Sequence, residues 1–542
     1  MKKMSVPVFL FLAAVPLVGQ TPAGPLTVAE SSGYAATSRY ADVMAFVREL
    51  QRQSPLIRVE TLGTSAEGRI VPMLVVGNPV PASPADLRAD DRAVVYIQAN
   101  IHAGEVEGKE ATLMLVRDLL QGTLPNYLDR LVLLVVPIFN ADGNERISPG
   151  NRQNQKGPAQ GVGTRANGQN LDLNRDGMKI ESPEVAGLVE MLNRWDPVFF
   201  LDSHTHNGSY HQEPVTWTWG LNPNGDAQVI DYMANTMWPA VERLMRDKYR
   251  TPVIPHGDFV DPRNPEQGWE PLEPQPRFLS NYAGLRNRLS VLNEQYPYVD
   301  FETRVRGCYS LLRAFLEVVH ANKDAVVRLV RDADRRTIAR GLAPSSQDTF
   351  VVEWNREPTG RRFTIEGYEM DVTEGPGGRT RVRPTERTKT YTNVPYLASY
   401  TAKRSIRLPR GHLIPNPEPA VVAKLQQHGI SVERLAEPAT LAVEGFRITS
   451  IKGSEQLNQG HYTNTVAGEY FETTKTFPAG TLYVSQAQRL APLAAALLEA
   501  ESDDGFLVWN FFDRALSIQW GGGPREYPVY RLHDAVPLVR HK

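Results

Sequence analysis

A histidine and a glutamate follow an apolar segment of the sequence at a spacing that suits a metal ion. Residues 93–99 are mostly apolar and predict a buried strand, which runs directly into Asn100-Ile101-His102-Ala103-Gly104-Glu105. Imidazole nitrogen and carboxylate oxygen are both zinc ligands, and three positions of separation let His102 and Glu105 converge on one ion. A His-x-x-Glu pair is weak by itself, because it occurs by chance in long chains and both side chains could simply be hydrogen-bonded or solvated.

A second apolar segment also ends in histidine. Residues 198–201 predict a strand, and Asp202-Ser203-His204-Thr205-His206 follows it. Two histidines and one glutamate supply three ligands and leave a fourth zinc position for water, which is the arrangement of catalytic zinc sites. Side chains two positions apart on a strand share a face, so the pattern leaves both His204 and His206 open as the third ligand.

Polar side chains are concentrated between residues 165 and 175, in Arg165-Ala166-Asn167-Gly168-Gln169-Asn170-Leu171-Asp172-Leu173-Asn174-Arg175. The planar guanidinium of arginine suits a carboxylate, such as the end of a peptide. Asp172 could accept the free ring N–H of a metal-bound histidine. The same residues are also compatible with a surface loop that carries an Asp–Arg pair.

Alternating strands and helices must position these residues. The predicted helices cover residues 41–52, 107–120, 183–195 and 227–249, and the predicted strands cover residues 70–76, 93–99, 131–139, 198–201 and 289–292. This alternation predicts an α/β domain with a mixed sheet. After about residue 335 the sequence changes to short runs rich in Thr, Val, Tyr and Arg, separated by Gly and Pro, with one helix at 492–499. We therefore expect a β-rich C-terminal region.

Composition and the N-terminus narrow the class of protein. The net charge of −2 gives no reason to expect nucleic acid or anionic lipid as a partner, and the single cysteine, Cys308, excludes an intrachain disulfide. Lys2 and Lys3 precede an apolar run at residues 6–18, which predicts a signal peptide over residues 1–23 and export to the periplasm or the medium. The alternative, a membrane anchor, is disfavoured because the run is shorter than the roughly 20 residues that span a bilayer.

From about residue 40 to residue 322, the sequence resembles the zinc carboxypeptidases related to carboxypeptidase A, peptidase family M14. The resemblance rests on several motifs in one order: residues 62–69, His102-x-x-Glu105, Asn140-Ala141-Asp142-Gly143, Arg165 with Asn167 and Gly168, Asp172-Leu173-Asn174-Arg175, and Asp202-Ser203-His204. It implies an α/β/α sandwich around an eight-stranded mixed sheet, one zinc ion per chain, and a peptide or protein substrate.

The resemblance also implies roles for individual residues. The metal ligands would be His102, Glu105 and His204, because the first histidine after the strand is the family's usual ligand. Asp172 would support the first histidine, Arg165 would polarise the scissile carbonyl, and Asn174 and Arg175 would bind the substrate's terminal carboxylate.

The general base is expected further along the chain. The family carries a glutamate at the end of a late strand, and residues 289–294 end in Glu294. A buried strand that ends in a charged residue is unusual unless that residue is used. The residues after Glu294 depart from the commonest family version, so Glu302 is kept as the alternative candidate for the general base. The family's substrate-capping tyrosine could be Tyr282, Tyr296 or Tyr298.

The sequence thus predicts a signal peptide (1–23), a catalytic domain (30–335) and a β-rich accessory region (336–542). The predicted function is removal of C-terminal residues from peptides, with water activated by zinc and a glutamate base. One alternative is a zinc amide hydrolase acting on cell-wall peptides or N-acyl amino acids, since one fold hosts several reactions. The other is a peptide-binding protein without catalysis.

Overall fold

The computed structural model describes residues 24–88, 90–206, 208–375, 380–517 and 525–541. The predicted signal peptide, residues 1–23, lies outside these described residues. Within them, no helix combines the length and the apolar character needed to cross a membrane.

The larger of the predicted regions is built on one mixed sheet. The strands before residue 300 are β1 (Ile57–Thr64), β2 (Ile70–Val76), β3 (Ala93–Ala99), β4 (Leu131–Val136), β5 (Phe199–Thr205), β6 (Val215–Trp219), β7 (Val253–Pro255), β8 (Asp258–Phe259), β9 (Trp269–Glu270) and β10 (Leu289–Gln295). The sheet has eight strands in the order β1-β2-β4-β3-β5-β10-β6-β7, while β8 and β9 pair with each other.

Helices cover both faces of this sheet. The α-helices are α1 (Val28–Ser31), α2 (Tyr40–Gln53), α3 (Glu107–Leu120), α4 (Ala141–Glu145), α5 (Pro183–Trp195), α6 (Ala227–Tyr232), α7 (Trp238–Asp247), α8 (Leu279–Leu285), α9 (Phe301–Ala321), α10 (Lys323–Leu342), α11 (Pro419–Gln427), α12 (Ala491–Leu498) and α13 (Asp513–Leu516). Short 3₁₀ helices lie at Pro84–Arg88, Leu173–Arg175 and Pro265–Gln267. Helices α2, α3, α7 and α9 pack on one face and α5 and α8 on the other, so the predicted α/β/α sandwich is confirmed.

The four neighbouring strands β4, β3, β5 and β10 run parallel, so their carboxyl ends lie at the same edge of the sheet. Every residue of these strands is buried, as expected for parallel strands covered on both faces. Strands β5 and β10 continue past the apolar segments that predicted them. Their last residues are polar but paired inside the sheet, and Ser203 donates to Asn293 across the two strands at 3.1 Å.

Other departures from the sequence-based prediction have local causes. The predicted strand 131–139 ends at Val136, because Pro137 follows and cannot donate to a ladder. The predicted helix 227–249 is divided into α6 and α7 by a π-helical turn at Met233–Met237, just before Pro239. Strands β1, β6 and β7 of the sheet were not predicted as strands.

The C-terminal region is rich in strands, as predicted. Its strands are β11 (Thr349–Glu357), β12 (Arg362–Glu374), β13 (Thr380–Pro395), β14 (Ser399–Arg407), β15 (Gly411–Ile414), β16 (Glu433–Leu435), β17 (Ala439–Gly453), β18 (Asn464–Phe477), β19 (Leu482–Ser485), β20 (Arg525–Glu526), β21 (Tyr530–Leu532) and β22 (Arg540–His541). The second sheet has the order β18-β17-β21-β15-β19-β16-β22, with β20 on β17; β11 pairs with β14, and β12 with β13. Helix α10 runs through position 335, and the division into domains stays a prediction.

The C-terminal region packs on the α5 and α8 face of the sandwich. Leu493 and Trp509 from this region lie in the same buried cluster as Leu188 of α5 and Leu279 of α8. Helix α12, predicted at 492–499, is buried at all eight positions and contacts α8 and α10. The two regions are therefore joined by a continuous apolar core.

Candidate metal centre and active site

Three side chains converge at the carboxyl ends of β3 and β5. One ligand atom from each of His102, Glu105 and His204 lies within 4.8 Å of the others, and all three residues are buried. The Nδ1 atoms of the two histidines are 3.2 Å apart. Glu105 Oε1 lies 3.2 Å from His102 Nδ1, and Glu105 Oε2 lies 3.1 Å from His204 Nδ1.

The donor set and its spacing fit a zinc ion. Two imidazole nitrogens and one carboxylate form a common catalytic zinc set. Ligands about 2.0–2.2 Å from a tetrahedral ion lie roughly 3.3–3.6 Å from one another, close to the separations of 3.1 and 3.2 Å found here. A hydrogen-bonded structural cluster would not need both Nδ1 atoms to face each other. The residues therefore fit the metal that the sequence predicts.

The turn after β3 aims the first two of these side chains. Asn100 adopts a left-handed backbone conformation (φ 64°) that re-directs the chain as it leaves the strand. Its side-chain amide donates to the carbonyl oxygens of Ala103 and Glu105, both at 3.3 Å. A side chain at Gly104 would place its Cβ 2.6 Å from Cδ of Arg152 and 3.0 Å from the Gly163 carbonyl oxygen, so Arg152, which contacts Glu105, would have to move.

Carboxylates orient the outer nitrogens of both histidines. His102 Nε2 lies 2.9 Å from Asp172 Oδ1, and His204 Nε2 lies 2.9 Å from Asp202 Oδ2. Such contacts fix the ring orientation and leave each Nδ1 free to bind a metal. Burial alone would raise the pKa of Asp172, but the charges of His102 and Arg165 hold it well below its ordinary value.

The buried Glu105 carboxylate has further partners. Its Oε1 lies 2.9 Å from Arg152 Nη1, and its Oε2 accepts a hydrogen bond from the backbone N–H of Thr205 at 2.9 Å. Burial would raise the pKa of Glu105, yet the charges of His102 and Arg152 keep it well below its ordinary value. Sequence reasoning missed Arg152, because no motif surrounds it and it lies far from Glu105 along the chain.

Glu294 lies beside His204 on the neighbouring strand. The two residues are paired in the parallel register of β10 and β5, which places their side chains on the same face of the sheet. Glu294 Oε2 is buried and has no hydrogen-bond partner among the described residues. Burial raises the pKa of Glu294 to about 8, with the Glu105 carboxylate adding to the rise and His204 opposing it. Glu302, the alternative candidate, lies exposed on the first turn of α9 and pairs with Arg306 at 2.7 Å.

The segment 165–175 borders the same site. Arg165 Nε donates to Asp172 Oδ2 at 2.7 Å, and its Nη1 lies 3.6 Å from Glu105 Oε1. Asn174 Nδ2 is 3.5 Å from His204 Nε2. The Arg175 guanidinium lies 4.4 Å above the ring of Phe278 and is partly exposed. The segment thus brings two partly exposed cations next to the buried trio.

The alternative third ligand, His206, lies just beyond β5 in a different group. Its ring is 4.9 Å from that of His256 and 6.3 Å from that of His211, measured between centroids. Burial lowers the pKa of His206 to about 4. Among the described residues, the trio that could hold an ion contains His204 and does not contain His206.

Two of the three tyrosines proposed as a substrate cap are locked in the core. Tyr282 is fully buried and its hydroxyl lies 2.9 Å from His428 Nδ1. The buried Tyr296 hydroxyl accepts from the backbone N–H of His211 at 3.0 Å. Tyr298 is half-buried and stacks on Tyr210, with 5.1 Å between the ring centroids.

The chain is similar to known carboxypeptidases, over different lengths in different comparisons. Residues 43–218 match the family model described as zinc carboxypeptidase. Carboxypeptidase 2 of Trichophyton equinum is 22% identical over 539 residues, covering 93% of this chain and 88% of the relative. Carboxypeptidase D of Mus musculus is 29% identical over 211 residues, covering 33% of this chain and 15% of the relative.

Solved structures of carboxypeptidases are also similar to the chain. The metallo-carboxypeptidase from Burkholderia cenocepacia is 20% identical with a TM-score of 0.39, covering 53% of this chain and 70% of that one. The metallo-carboxypeptidase from Pseudomonas aeruginosa in complex with (2-guanidinoethylmercapto)succinic acid is 18% identical with a TM-score of 0.38, covering 53% and 69%.

An α/β/α sandwich with a His-Glu-His trio at the carboxyl edge of its parallel strands defines a metal-dependent hydrolase of the carboxypeptidase class. Residues 43–218 match the zinc carboxypeptidase family model, so the predicted resemblance to peptidase family M14 is confirmed for that part of the chain. The matched residues 43–218 include His102, Glu105 and His204 but end before Glu294.

The buried Glu294 predicts a pH effect on the stability of the metal-free protein. The unfolded acid ionises near its ordinary pKa of 4.5, whereas the folded acid ionises near 8. Unfolding between these values releases a proton, so the free energy of unfolding falls as pH rises. Glu294→Gln removes this effect. In denaturant unfolding with a chelator present, the free energy of unfolding of the variant should rise relative to that of the wild type from about pH 5 to pH 8.

Glu302→Gln is the matched control for this measurement, because Glu302 is exposed. It should not reproduce the gain in stability, relative to the wild type, that is expected of Glu294→Gln. A constant difference between Glu294→Gln and the wild type would contradict the raised pKa.

Proposed function

We propose that the protein is a zinc-dependent carboxypeptidase that removes C-terminal residues from peptides or proteins. The observation that carries the proposal is the convergence of His102, Glu105 and His204, with Glu294 in register beside His204 on the same face of the sheet. The match of residues 43–218 to the zinc carboxypeptidase family model supports the reaction class. One zinc ion per chain would be held by these three residues.

A bound zinc ion would supply Lewis acidity and an acidified water. The side chains of the protein would orient the metal ligands. His102 and His204 present Nδ1 to the ion because Asp172 and Asp202 lie at their Nε2 atoms. Arg152 and the Thr205 N–H hold the Glu105 carboxylate in its buried position.

Glu294 is proposed as the general base. Its unpartnered Oε2 would accept a proton from the attacking water and later return that proton to the leaving amine. Its position beside His204 on the same face of the sheet suits both roles, because one carboxylate oxygen can then reach the attacking water and the leaving amine. Arg165, which is anchored by Asp172 and partly exposed, would donate to the carbonyl oxygen as it gains charge.

Asn174 and Arg175 are proposed to bind the terminal carboxylate of the substrate. Among the described residues, Arg175 pairs with a carboxylate at 3.9 Å, Asp172 Oδ2, while its Nη1 donates to the Asn174 carbonyl oxygen at 2.9 Å and its guanidinium is partly exposed over Phe278. It can therefore accept a carboxylate partner without first losing a strong ion pair. Binding of a free terminus next to the base is the arrangement of an exopeptidase.

The setting and organisation of the protein are proposed from the sequence. The basic and apolar N-terminus supports export through a signal peptide over residues 1–23. Residues 30–335 are proposed as the catalytic domain and residues 336–542 as an accessory region.

The metal prediction separates the two candidate histidines. The purified protein should carry about one zinc ion per chain, measured by mass spectrometry of metals. His102→Ala and His204→Ala should each lose the ion, because each removes one of three ligands. His206→Ala should keep most of it, since His206 lies outside the trio. Loss of zinc in His206→Ala together with retention in His204→Ala would show that the ligand is misassigned.

The carboxylate prediction concerns Arg175. A charge-assisted pair is worth roughly 1.5–3 kcal/mol, so Arg175→Ala should raise KM for a free-acid peptide by roughly ten- to a hundredfold. The same peptide with an amidated C-terminus should be a poor substrate for the wild type and should be little affected by the mutation. Equal cleavage of the acid and the amide by the wild type would favour an amide hydrolase over an exopeptidase.

The base prediction concerns Glu294→Gln, which keeps size and polarity but removes the proton acceptor. The variant should fold, bind zinc and bind peptide, while kcat falls by roughly 10²–10⁴-fold with little change in KM. Glu302→Gln is the control and should keep nearly full activity, since Glu302 is exposed on α9. A Glu294→Gln variant with near wild-type kcat would exclude this residue as the base.

A further inference from the structure

A side chain of the C-terminal region reaches the proposed metal site. Gln459 Oε1 accepts a hydrogen bond from the backbone N–H of Asp172 at 2.8 Å, across 287 positions of sequence. Asp172 in turn uses Oδ1 to contact His102 Nε2 and Oδ2 to accept from Arg165 Nε. The second sheet is therefore connected by one hydrogen bond to Asp172, which orients both the proposed metal ligand His102 and Arg165.

Gln459 lies at the tip of the hairpin that joins β17 and β18. Asn458 and His461 exchange backbone hydrogen bonds at 2.8 and 2.9 Å, and the two central residues have positive φ, 50° at Gln459 and 83° at Gly460. This is the pattern of a type I′ turn, whose first central position favours asparagine, aspartate or glycine. Glutamine is unfavourable there, which points to a use for its longer side chain.

The same hairpin holds the segment that follows Asp172 by a second contact. His461 Nε2 lies 3.0 Å from both carboxylate oxygens of Glu181, and its Nδ1 lies 3.1 Å from Asn510 Oδ1. The Glu181 backbone N–H donates to Asp176, so this contact is continuous with the residues after Arg175. The hairpin tip thus contacts both ends of the segment 172–181.

We propose that Gln459 is a positioning residue of the hydrolase site, so that the C-terminal region completes the site rather than only covering the sandwich. The Gln459 acceptor fixes the backbone at Asp172, and the Asp172 carboxylate then fixes the ring of His102 and the guanidinium of Arg165. The inference deepens the proposed zinc-dependent function and rests on it for its effect on metal binding and catalysis.

Two substitutions in the full chain test the contact separately from the turn. Gln459→Met keeps the side-chain length but removes the acceptor. Gln459→Asn suits the left-handed turn position but is one methylene too short to reach Asp172. Each variant should weaken zinc binding in a chelator competition by about three- to tenfold, the usual effect of one lost hydrogen bond. Each should lower kcat/KM for a free-acid peptide by a similar factor.

Gln456→Met is the matched control, because Gln456 lies on the same hairpin and is exposed. It should keep wild-type zinc affinity and activity. Gln459→Glu retains an acceptor oxygen at the same distance along the side chain and should therefore keep the zinc affinity that Gln459→Met and Gln459→Asn lose. Thermal unfolding of the metal-free Gln459→Asn variant should match the wild type, which separates positioning from a general loss of stability.

Hydrogen exchange of the metal-free chain gives a readout that needs neither zinc nor turnover. Gln459→Asn should increase exchange in residues 165–182 and leave exchange elsewhere unchanged. Wild-type zinc affinity, kcat/KM and exchange in Gln459→Asn would overturn the inference. A wild-type chain that binds no zinc and cleaves no peptide would overturn the proposed function instead, and the exchange result would then decide the positioning role alone.

Discussion

The constraint on which the site depends is the burial of charge at the carboxyl ends of parallel strands. Glu105 is 3% exposed, and an unpaired carboxylate at such a depth would be strongly unfavourable. Two histidines, one arginine and a backbone N–H surround it, so its negative charge is matched from several directions. Breaking any one partnership leaves charge uncompensated, and the local geometry is therefore held tightly even without an ion.

Strand register extends this constraint to the next strand. Pairing of β10 with β5 places Glu294 beside His204, and antiparallel pairing of β10 with β6 buries it from the other side. Unlike Glu105, Glu294 has one oxygen without a hydrogen-bond partner among the described residues. Burial therefore has opposite outcomes for the two acids. The pKa of Glu105 is held low by its partners, whereas the pKa of Glu294 rises to about 8. Such a separation is typical of acids that have different tasks.

Much of the sandwich could be predicted, because its strands are apolar and its helices are amphipathic. The His102, Glu105 and His204 trio could be predicted for the same reason, because both histidines lie at the ends of recognisable apolar strands. Arg152 could not be found, since its contact with Glu105 depends on a loop that carries no periodic pattern. The lengths of β5 and β10 were underestimated because their polar ends, such as Asn293, are paired only inside the folded sheet. The contact of Gln459 with Asp172 could not be predicted from the sequence either, because no local sequence pattern relates residues so distant along the chain.

The packing of the C-terminal region also bears on the proposed carboxylate-binding segment. Trp509 is 1% exposed and belongs to the apolar cluster shared with α5 and α8. Lys179 lies 4.3 Å above its ring and donates to the carbonyl oxygen of Arg175 at 2.8 Å. Arg277 also lies over this ring, at 5.2 Å, and pairs with Asp504. Because closely packed cores adjust little, the position of Trp509 limits the movement of these cations. The backbone next to Arg175 is therefore fixed by the same packing that joins the two regions.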